Sequence, residues 1–360
     1  MWGKRADTVV HGVEPYNAEP SRTALAGRSI TPLDTFYSRN HGTVPVLDPA
    51  GWRLKVDGLV DDALDLGLDE LKGRFEHHTV AATLQCAGNR RAALLEVRDI
   101  PGEDPWGPGA TSTARWTGVS LADVLAAAGI AHGAAHVAFE APDRAEAASP
   151  PQTYGASIPL AKAQGAEVLL AWGMNGADLP PVHGAPVRVV VPGWIGARSV
   201  KWVQRISVLS EPSAGYFQAV AYRLMPADAD YDAAPPGAGL TLGPVALSCD
   251  VLVPDDHARL AAGSHDVRGY AYAGDDRGVA RVEISLDGGA GWAQAELEAS
   301  EGPWCWRLWH ARVDLPPGEV RISVRAWDTT GATQPATASQ VWNPKGYANS
   351  SWGGVTLTVG

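Results

Sequence analysis

The chain has 360 residues, 45% apolar and 19% charged, with a formal net charge of −11 and a pI near 5.3. At roughly 150 residues per domain it has length for two or three domains with sizeable cores, and its balance excludes disorder and argues against nucleic-acid or anionic-membrane binding. Its three cysteines, Cys86, Cys249 and Cys305, are far apart and odd in number, which excludes a disulfide framework or a paired-cysteine zinc site.

Residues 1–50 are rich in Pro, Gly and polar groups and read as an extended lead-in ending in TFYSRNHGTVP. The first twenty residues lack the apolar run of a signal peptide, and no later stretch has the apolar length of a membrane helix. The expected location is therefore cytoplasmic, with no membrane partner; export of a processed precursor stays open. From residue 52, WRLKVDGLV alternates and ends in Asp-Gly, a strand and turn. LDLGLDELKGRF reads as a strand end and a short helix. HHTVAATLQCAGN is a β-branched run closed by Gly88, which puts Cys86 at a strand end or loop start. VSLADVLAAAGI is an amphipathic helix with Ser120 as N-cap and Gly129 as stop. AAHVAFEAPDR is a strand leading to a loop, and PVRVVVPGWIGARSVKWVQRISVLS a buried strand, a Gly/Pro turn and a second strand.

Residues 225–245 carry Pro, Gly, Ala and Asp without periodicity and read as a linker. Beyond it, HDVRGYAYAG, GVARVEISLDGG, GWAQAELEAS, WCWRLWHARVDL and EVRISVRAWDTTG read as strands with no long helix between them. That pattern predicts an immunoglobulin-like β-sandwich. The fold class is α+β over 1–238 followed by an all-β domain over 239–360. Fourteen tryptophans must find N–H partners where they are buried.

Three segments carry candidate chemistry. In TLQCAGNRR, Cys86 is followed by Arg90 and Arg91. Two cations near a thiol favour thiolate, which serves as a nucleophile or a soft metal ligand. His77 and His78 with Cys86 fit no tetrahedral zinc spacing. In FYSRNHG, Arg39, Asn40 and His41 form a donor-rich run able to hold an oxyanion or the edge of a heterocycle. In HGAPVRVVVPGWIGARSVKW, His183, Arg188, Arg198 and Lys201 flank turns whose glycines let backbone N–H groups approach a phosphate. The spacing is not that of a P-loop. Trp106 and Tyr222 join these segments as candidate pocket aromatics.

FYSRNH, TLQCAGNRR, TSTARWTGVSLADVL, YGASIPLAKA, EVLLAWGMNG, HGAPVRVVVPGWIGARSVKW, SLDGG and WRLW together resemble, in order, the sulfite oxidase family of molybdenum enzymes. The resemblance runs from about residue 30 to the end. It implies a molybdopterin-binding α+β domain followed by an immunoglobulin-like domain that makes a homodimer. It makes Cys86 the protein thiolate on a molybdenum–molybdopterin cofactor with one pterin dithiolene. The cofactor positions carry over to Tyr37, Ser38, Arg39, Asn40, His41, Asp143, His183, Arg188, Ser199, Val200 and Lys201, with His183, Arg188 and Lys201 toward the pterin phosphate. Arg39 and Arg91 match the family's anion-binding arginines, and Trp106 and Tyr222 its pocket aromatics. Trp106 requires a one-residue insertion in the loop after Cys86. The third pocket arginine is replaced by Lys345, in WNPKG, and an acid usual before the tyrosine is replaced by Ala221.

The activity this implies is oxidation of sulfite, with Arg39, Arg91 and Lys345 holding the anion and Tyr222 assisting hydrogen bonding. Oxygen or an external carrier takes the electrons, since the chain lacks the His-Pro-Gly-Gly of a cytochrome b5-like domain and is expected to hold no haem. Two other readings are open at this stage. Nitrate reductases of the superfamily have an uncharged residue where Lys345 stands, so reduction of a singly charged oxyanion is one. A non-catalytic interaction protein on the same fold is the other.

Overall fold

A computed structural model describes residues 1–360. Helix is scarce, the longest being Leu121–Ala128. Its ends follow the sequence: Ser120 Oγ accepts from the Ala122 amide, and Gly129 leaves the helix at φ +68°.

Two five-stranded sheets build the first half. One runs 177–178, 169–174, 111–120, 77–85, with Arg188–Val190 also paired to Leu169–Met174. The other runs 64–67, 53–58, 205–209, 136–145, 152–159, and the pairing of Arg205–Leu209 with Arg53–Gly58 is its one parallel ladder. The strand Leu169–Met174, LLAWGM, is buried along its whole length, which is why its hydrophobicity is continuous rather than alternating. The strand His136–Ala145 does not end in a loop as its sequence suggests. It continues past a break in register between Glu140 and Arg144. Asp143 sits on that bulge, the kind of irregularity that re-aims a side chain.

The second half is a sandwich. A four-stranded sheet runs 248–253, 263–272, 307–315, 296–297, and a five-stranded one runs 259–260, 353–359, 318–328, 279–285, 293–294. Val320, Ile322, Val324 and Ala326 alternate inward along one strand, as a half-buried sheet requires. GWAQAELEAS, which reads as one strand, is two. Ala293–Gln294 lies in one sheet and Glu296–Leu297 in the other, with buried Ala295 at the corner. The lead-in holds a ribbon, Val9–Val13 against Tyr16–Glu19, that alternation did not reveal. The ends of the linker pair with each other, Arg223–Leu224 against Leu240–Thr241, so residues 225–239 form a returning loop. Trp52, Trp116, Trp202 and Trp306 each donate the indole N–H to a backbone carbonyl, whereas the buried indole N–H groups of Trp106, Trp194 and Trp309 have no partner, against the expectation from sequence.

The halves meet around residues 83–91. Trp306 donates its amide to Thr83 Oγ1 at 2.8 Å, and Ser248 Oγ donates to Gln85 Oε1. Asn89 donates to the Tyr270 hydroxyl, and Ala348 donates its amide to the Ala87 carbonyl. Arg90 lies at the centre. Its Nε is 2.7 Å from Asp250, and its terminal nitrogens donate to the carbonyls of Ser351 and Trp352. Arg22 meets the other oxygen of Asp250 at 3.0 Å. Burial alone would raise the Asp250 pKa, but Arg22 and Arg90 outweigh it and hold the carboxyl below its usual range.

Replacing Asp250 by Asn strands two guanidinium groups and is expected to cost about 3–5 kcal/mol, read as a lower urea midpoint near neutral pH. Because the native carboxyl is depressed, its contribution is complete above the ordinary carboxylate range and fades as pH falls through the lowered native value. Parent and D250N should therefore converge in stability in acid, and a gap that widens there would refute the assignment.

Candidate active site

Cys86 leaves the end of the strand His77–Gln85, its amide fixed by the Ala110 carbonyl. The thiol faces a cavity of about 660 Å³ whose wall also carries Tyr37, Ser38, Arg39, Asn40, His41, Asp143, His183, Arg188, Ser199, Lys201 and Tyr222. All of these are sequence candidates. Residues distant in the chain thus converge because the strand end at 85, the loop at 36–41, the bulge at 141–143 and the turns around 183–201 open onto one space.

Not every candidate joins them. Val200 is buried in the core, and its carbonyl accepts from the Val189 amide. Trp106 is fully buried away from the cavity wall, edge-on to His11 at 4.7 Å. Arg198 turns away from the cavity and donates to the carbonyls of Leu242 and Phe217. Arg90 belongs to the contact between halves, so the cations beside the thiol are Arg39 and Arg91 rather than the sequence pair. His77 and Cys86 stand at opposite ends of one strand, roughly 30 Å apart at a strand's rise per residue. No group of three or more His, Cys, Asp or Glu side chains is placed to hold a metal.

Burial governs the titration of the wall. It pushes the Cys86 thiol up, against the pull of Arg39, Arg91 and the Gly88 amide, which lies 3.4 Å from Sγ. Metal capture must therefore release the thiol proton. Burial lowers Arg188 to about 10, and its guanidinium donates to the carbonyls of His183 and Ser199. Lys201 is held well below its usual value by burial and then by Arg188; its Nζ donates to the carbonyls of Arg39 and Val182 and to Asn40 Oδ1. Burial raises Asp143 to about 6. Burial also holds His183 and His41 neutral.

Two features show what the cavity accepts. Arg39, Arg188 and Lys201 face it against one carboxylate, Asp143, so the wall is cationic in a chain of net charge −11. Ser38 Oγ and Asp143 Oδ1 are buried in that wall without a hydrogen-bond partner. An anionic ligand rich in polar edges, bearing a soft metal, satisfies both together with the single thiol. The donor set fits a metal–pterin phosphate.

Arg91 and Lys345, also sequence candidates, do not line the cavity wall; of the residues expected to meet the anion, Arg39 and Tyr222 do. Tyr222 has φ +54°, a left-handed backbone that a bulky residue rarely adopts. Its hydroxyl lies 2.6 Å from His41 Nε2, and its ring stacks on Tyr347 at 5.4 Å. Burial raises the Tyr222 hydroxyl. Arg91 Nε donates to the Lys345 carbonyl and Nη1 to the Asp104 carbonyl, both at 2.9 Å. Its guanidinium folds over Gly88, where a Cβ would come within 2.5 Å of it. Lys345 Nζ is 3.2 Å from Glu103 Oε1 and lies over the Tyr231 ring.

Several contributors escaped sequence reasoning. Lys4, lowered to about 7 by burial, places Nζ 2.7 Å from His183 Nε2. Tyr154 stacks on His41 and donates to the Ala197 carbonyl. Neither lies near a turn or charge pattern that marks a site. Glu103 stands in PGEDPWGPG, where only Trp106 drew notice, and its acidic charge beside the expected anion pocket was the available signal.

A family model described as an oxidoreductase molybdopterin binding domain matches residues 41–217. A second, a Mo-co oxidoreductase dimerisation domain, matches 245–359. Chicken sulfite oxidase is 42% identical over 353 residues, covering 95% of this chain and 76% of that protein. Sulfite oxidase of Arabidopsis thaliana is 37% identical, covering 98% of this chain and 94% of that protein. The solved sulfane dehydrogenase SoxCD from Paracoccus pantotrophus superposes with a TM-score of 0.82 at 27% identity, covering 97% of this chain and 86% of that one.

Gly196 tests the wall itself, since a Cβ there would stand 2.7 Å from the Tyr37 hydroxyl. Gly196→Ala is expected to displace Tyr37 and lower stability by about 1–3 kcal/mol; an unchanged urea midpoint would contradict that packing.

Proposed function

The chain belongs to the sulfite oxidase family of molybdenum-cofactor oxidoreductases, and we propose that it oxidises sulfite to sulfate at the cavity anchored by Cys86. The observation that carries this reading is a lone buried thiol sharing one cavity with fixed cations. Sulfite and water give sulfate, two protons and two electrons, and oxygen or an external carrier takes the electrons. Reduction of nitrate makes less use of three cations, since nitrate bears one charge.

In this reading Cys86 holds molybdenum. Tyr37 through His41, Asp143, His183, Arg188 and the run Ser199 to Lys201 hold the pterin and its phosphate, Val200 through its main chain alone. When bound, the cofactor supplies oxygen-atom transfer and accepts two electrons. Arg39, Arg91 and Lys345 bind the substrate's oxygens and stabilise the charge that moves on them. Lys345 brings charge without the planar fork of an arginine, so it orients the anion less strictly. Arg91 is held by two backbone carbonyls and needs little reorganisation when the anion arrives. The Tyr222 phenol keeps its proton through neutral pH, so it offers the substrate a hydrogen bond rather than a charge. Buried His41 stays neutral beside it and fixes the direction of that hydroxyl.

We place the division between the halves at 238/239, supported by the loop that closes on itself at Arg223–Thr241, and propose that residues 239–360 form a homodimer.

Two measurements test the reading. Molybdenum-loaded protein given sulfite with ferricyanide should turn over between mildly acidic and alkaline pH. No turnover at any pH, or turnover with nitrate and a chemical reductant instead, would overturn it. Cys86→Ala should abolish sulfite turnover, and Lys201→Met should lower the molybdenum content of purified protein by about tenfold, the effect of losing one buried charged contact to a phosphate.

A further inference from the structure

The loop from Pro101 to Pro108 carries Glu103 to the place where the two outer substrate cations meet. Its Oε2 is 3.2 Å from Arg91 Nη2, and its Oε1 is 3.2 Å from Lys345 Nζ. One carboxylate therefore spans both cations, one oxygen on each. The geometry leaves little choice for an incoming anion. Arg91 spends Nε on the Lys345 carbonyl and Nη1 on the Asp104 carbonyl, so the Nη2 edge facing Glu103 is what it has left to offer. Arg91 is almost fully buried, and Glu103 is itself only 16% exposed, so the contact is not a solvated surface pair. The carboxylate also faces the interior: its charge acts on Arg39 and on the hydroxyls of Tyr222 and Tyr347.

We propose that Glu103 is an internal competitor for the oxyanion, a specificity-determining residue that occupies the seat between Arg91 and Lys345 until substrate displaces it and that returns there as product leaves. The inference rests on the assignment of Arg91 and Lys345 to the substrate. A site that must bind sulfite and release sulfate faces two anions of equal charge and similar size, and uniform tight binding of both would slow turnover. A carboxylate tethered beside the cations lowers the affinity for both without removing the cations that act on the transition state. Because the competitor is itself a charge, its effect scales with the charge of the ligand: removing it favours a dianion more than a monoanion.

The test measures inorganic sulfate and nitrate binding to molybdenum-loaded protein by calorimetry, without turnover. Glu103→Gln and Glu103→Ala are each expected to tighten sulfate binding by about tenfold, from a unit charge removed some 5 Å away in a partly solvated site, with a smaller gain for nitrate. KM for sulfite should fall with it, while kcat does not rise. In the background of Lys345→Gln the gain should shrink, which places the effect at this pair rather than in the loop. If Glu103 only positions Arg91 and Lys345, sulfate binding in both variants is unchanged or weaker, and the proposal is overturned; equal gains for sulfate and nitrate also overturn it. Protein that binds sulfate as expected but never oxidises sulfite would leave this inference standing and sink the assigned activity.

Discussion

The clasp on residues 83–91 is the constraint from which the rest follows. A strand end cannot by itself hold a thiol still; here Thr83, Gln85, Ala87, Asn89 and Arg90 are each tied to the second half of the chain. The strongest tie is Asp250 between Arg22 and Arg90, an ion triad taken almost wholly out of water. Such a triad is a poor source of net stability, because desolvation consumes much of the attraction. What it confers is a unique arrangement: two guanidinium groups and one carboxylate tolerate no slip between the halves. Cys86, in the middle of the segment, inherits that rigidity.

The same low-dielectric setting shapes the cavity. Lys201, Arg188 and His183 are all pushed toward their neutral forms by burial, and only backbone carbonyls and one acid compensate them. A wall in that condition is poised for an anion that restores the missing counter-charge. Ser38 and Asp143, with unpartnered oxygens, add the same demand in hydrogen bonds. A ligand that meets both demands gains affinity from each.

Much of this was legible in the sequence, and the remainder was hidden for identifiable reasons. Alternation and capping located the strand carrying Cys86, the helix Leu121–Ala128 and the sandwich strands, because those signals are local. The donor-rich run at 36–41 and the turns at 183–201 also announced themselves by composition. What local pattern cannot show is direction. Arg90 and Arg91 are adjacent, yet Arg90 reaches Asp250 and the carbonyls of Ser351 and Trp352 while Arg91 turns to the Lys345 and Asp104 carbonyls and Glu103, with the left-handed backbone at Arg90, φ +64°, between them. Arg198 read as a cation flanking phosphate-binding turns and is a buried staple on the carbonyls of Leu242 and Phe217. Trp106 was placed by resemblance in a loop that required an insertion, and it packs behind the wall rather than on it. Lys4 was invisible for a different cause: it acts through His183, 179 residues away, and no spacing rule encodes such a pair. Glu103 carried a signal in its charge close to Arg91, but its second partner, Lys345, lies in the other half of the chain.

The returning segment Trp342–Trp352 has a consequence for how the molecule is made. It supplies Lys345 to Glu103, Tyr347 to the stack on Tyr222, Ala348 to Ala87 and the carbonyls that hold Arg90. The segment belongs to the second half of the chain, whereas Cys86 and the donor run at 36–41 belong to the first. Domains generally fold as units during synthesis, N-terminal first, so a first half that folds ahead of the second presents a half-built wall. The site is finished only when Trp342–Trp352 packs back onto the loop after Cys86.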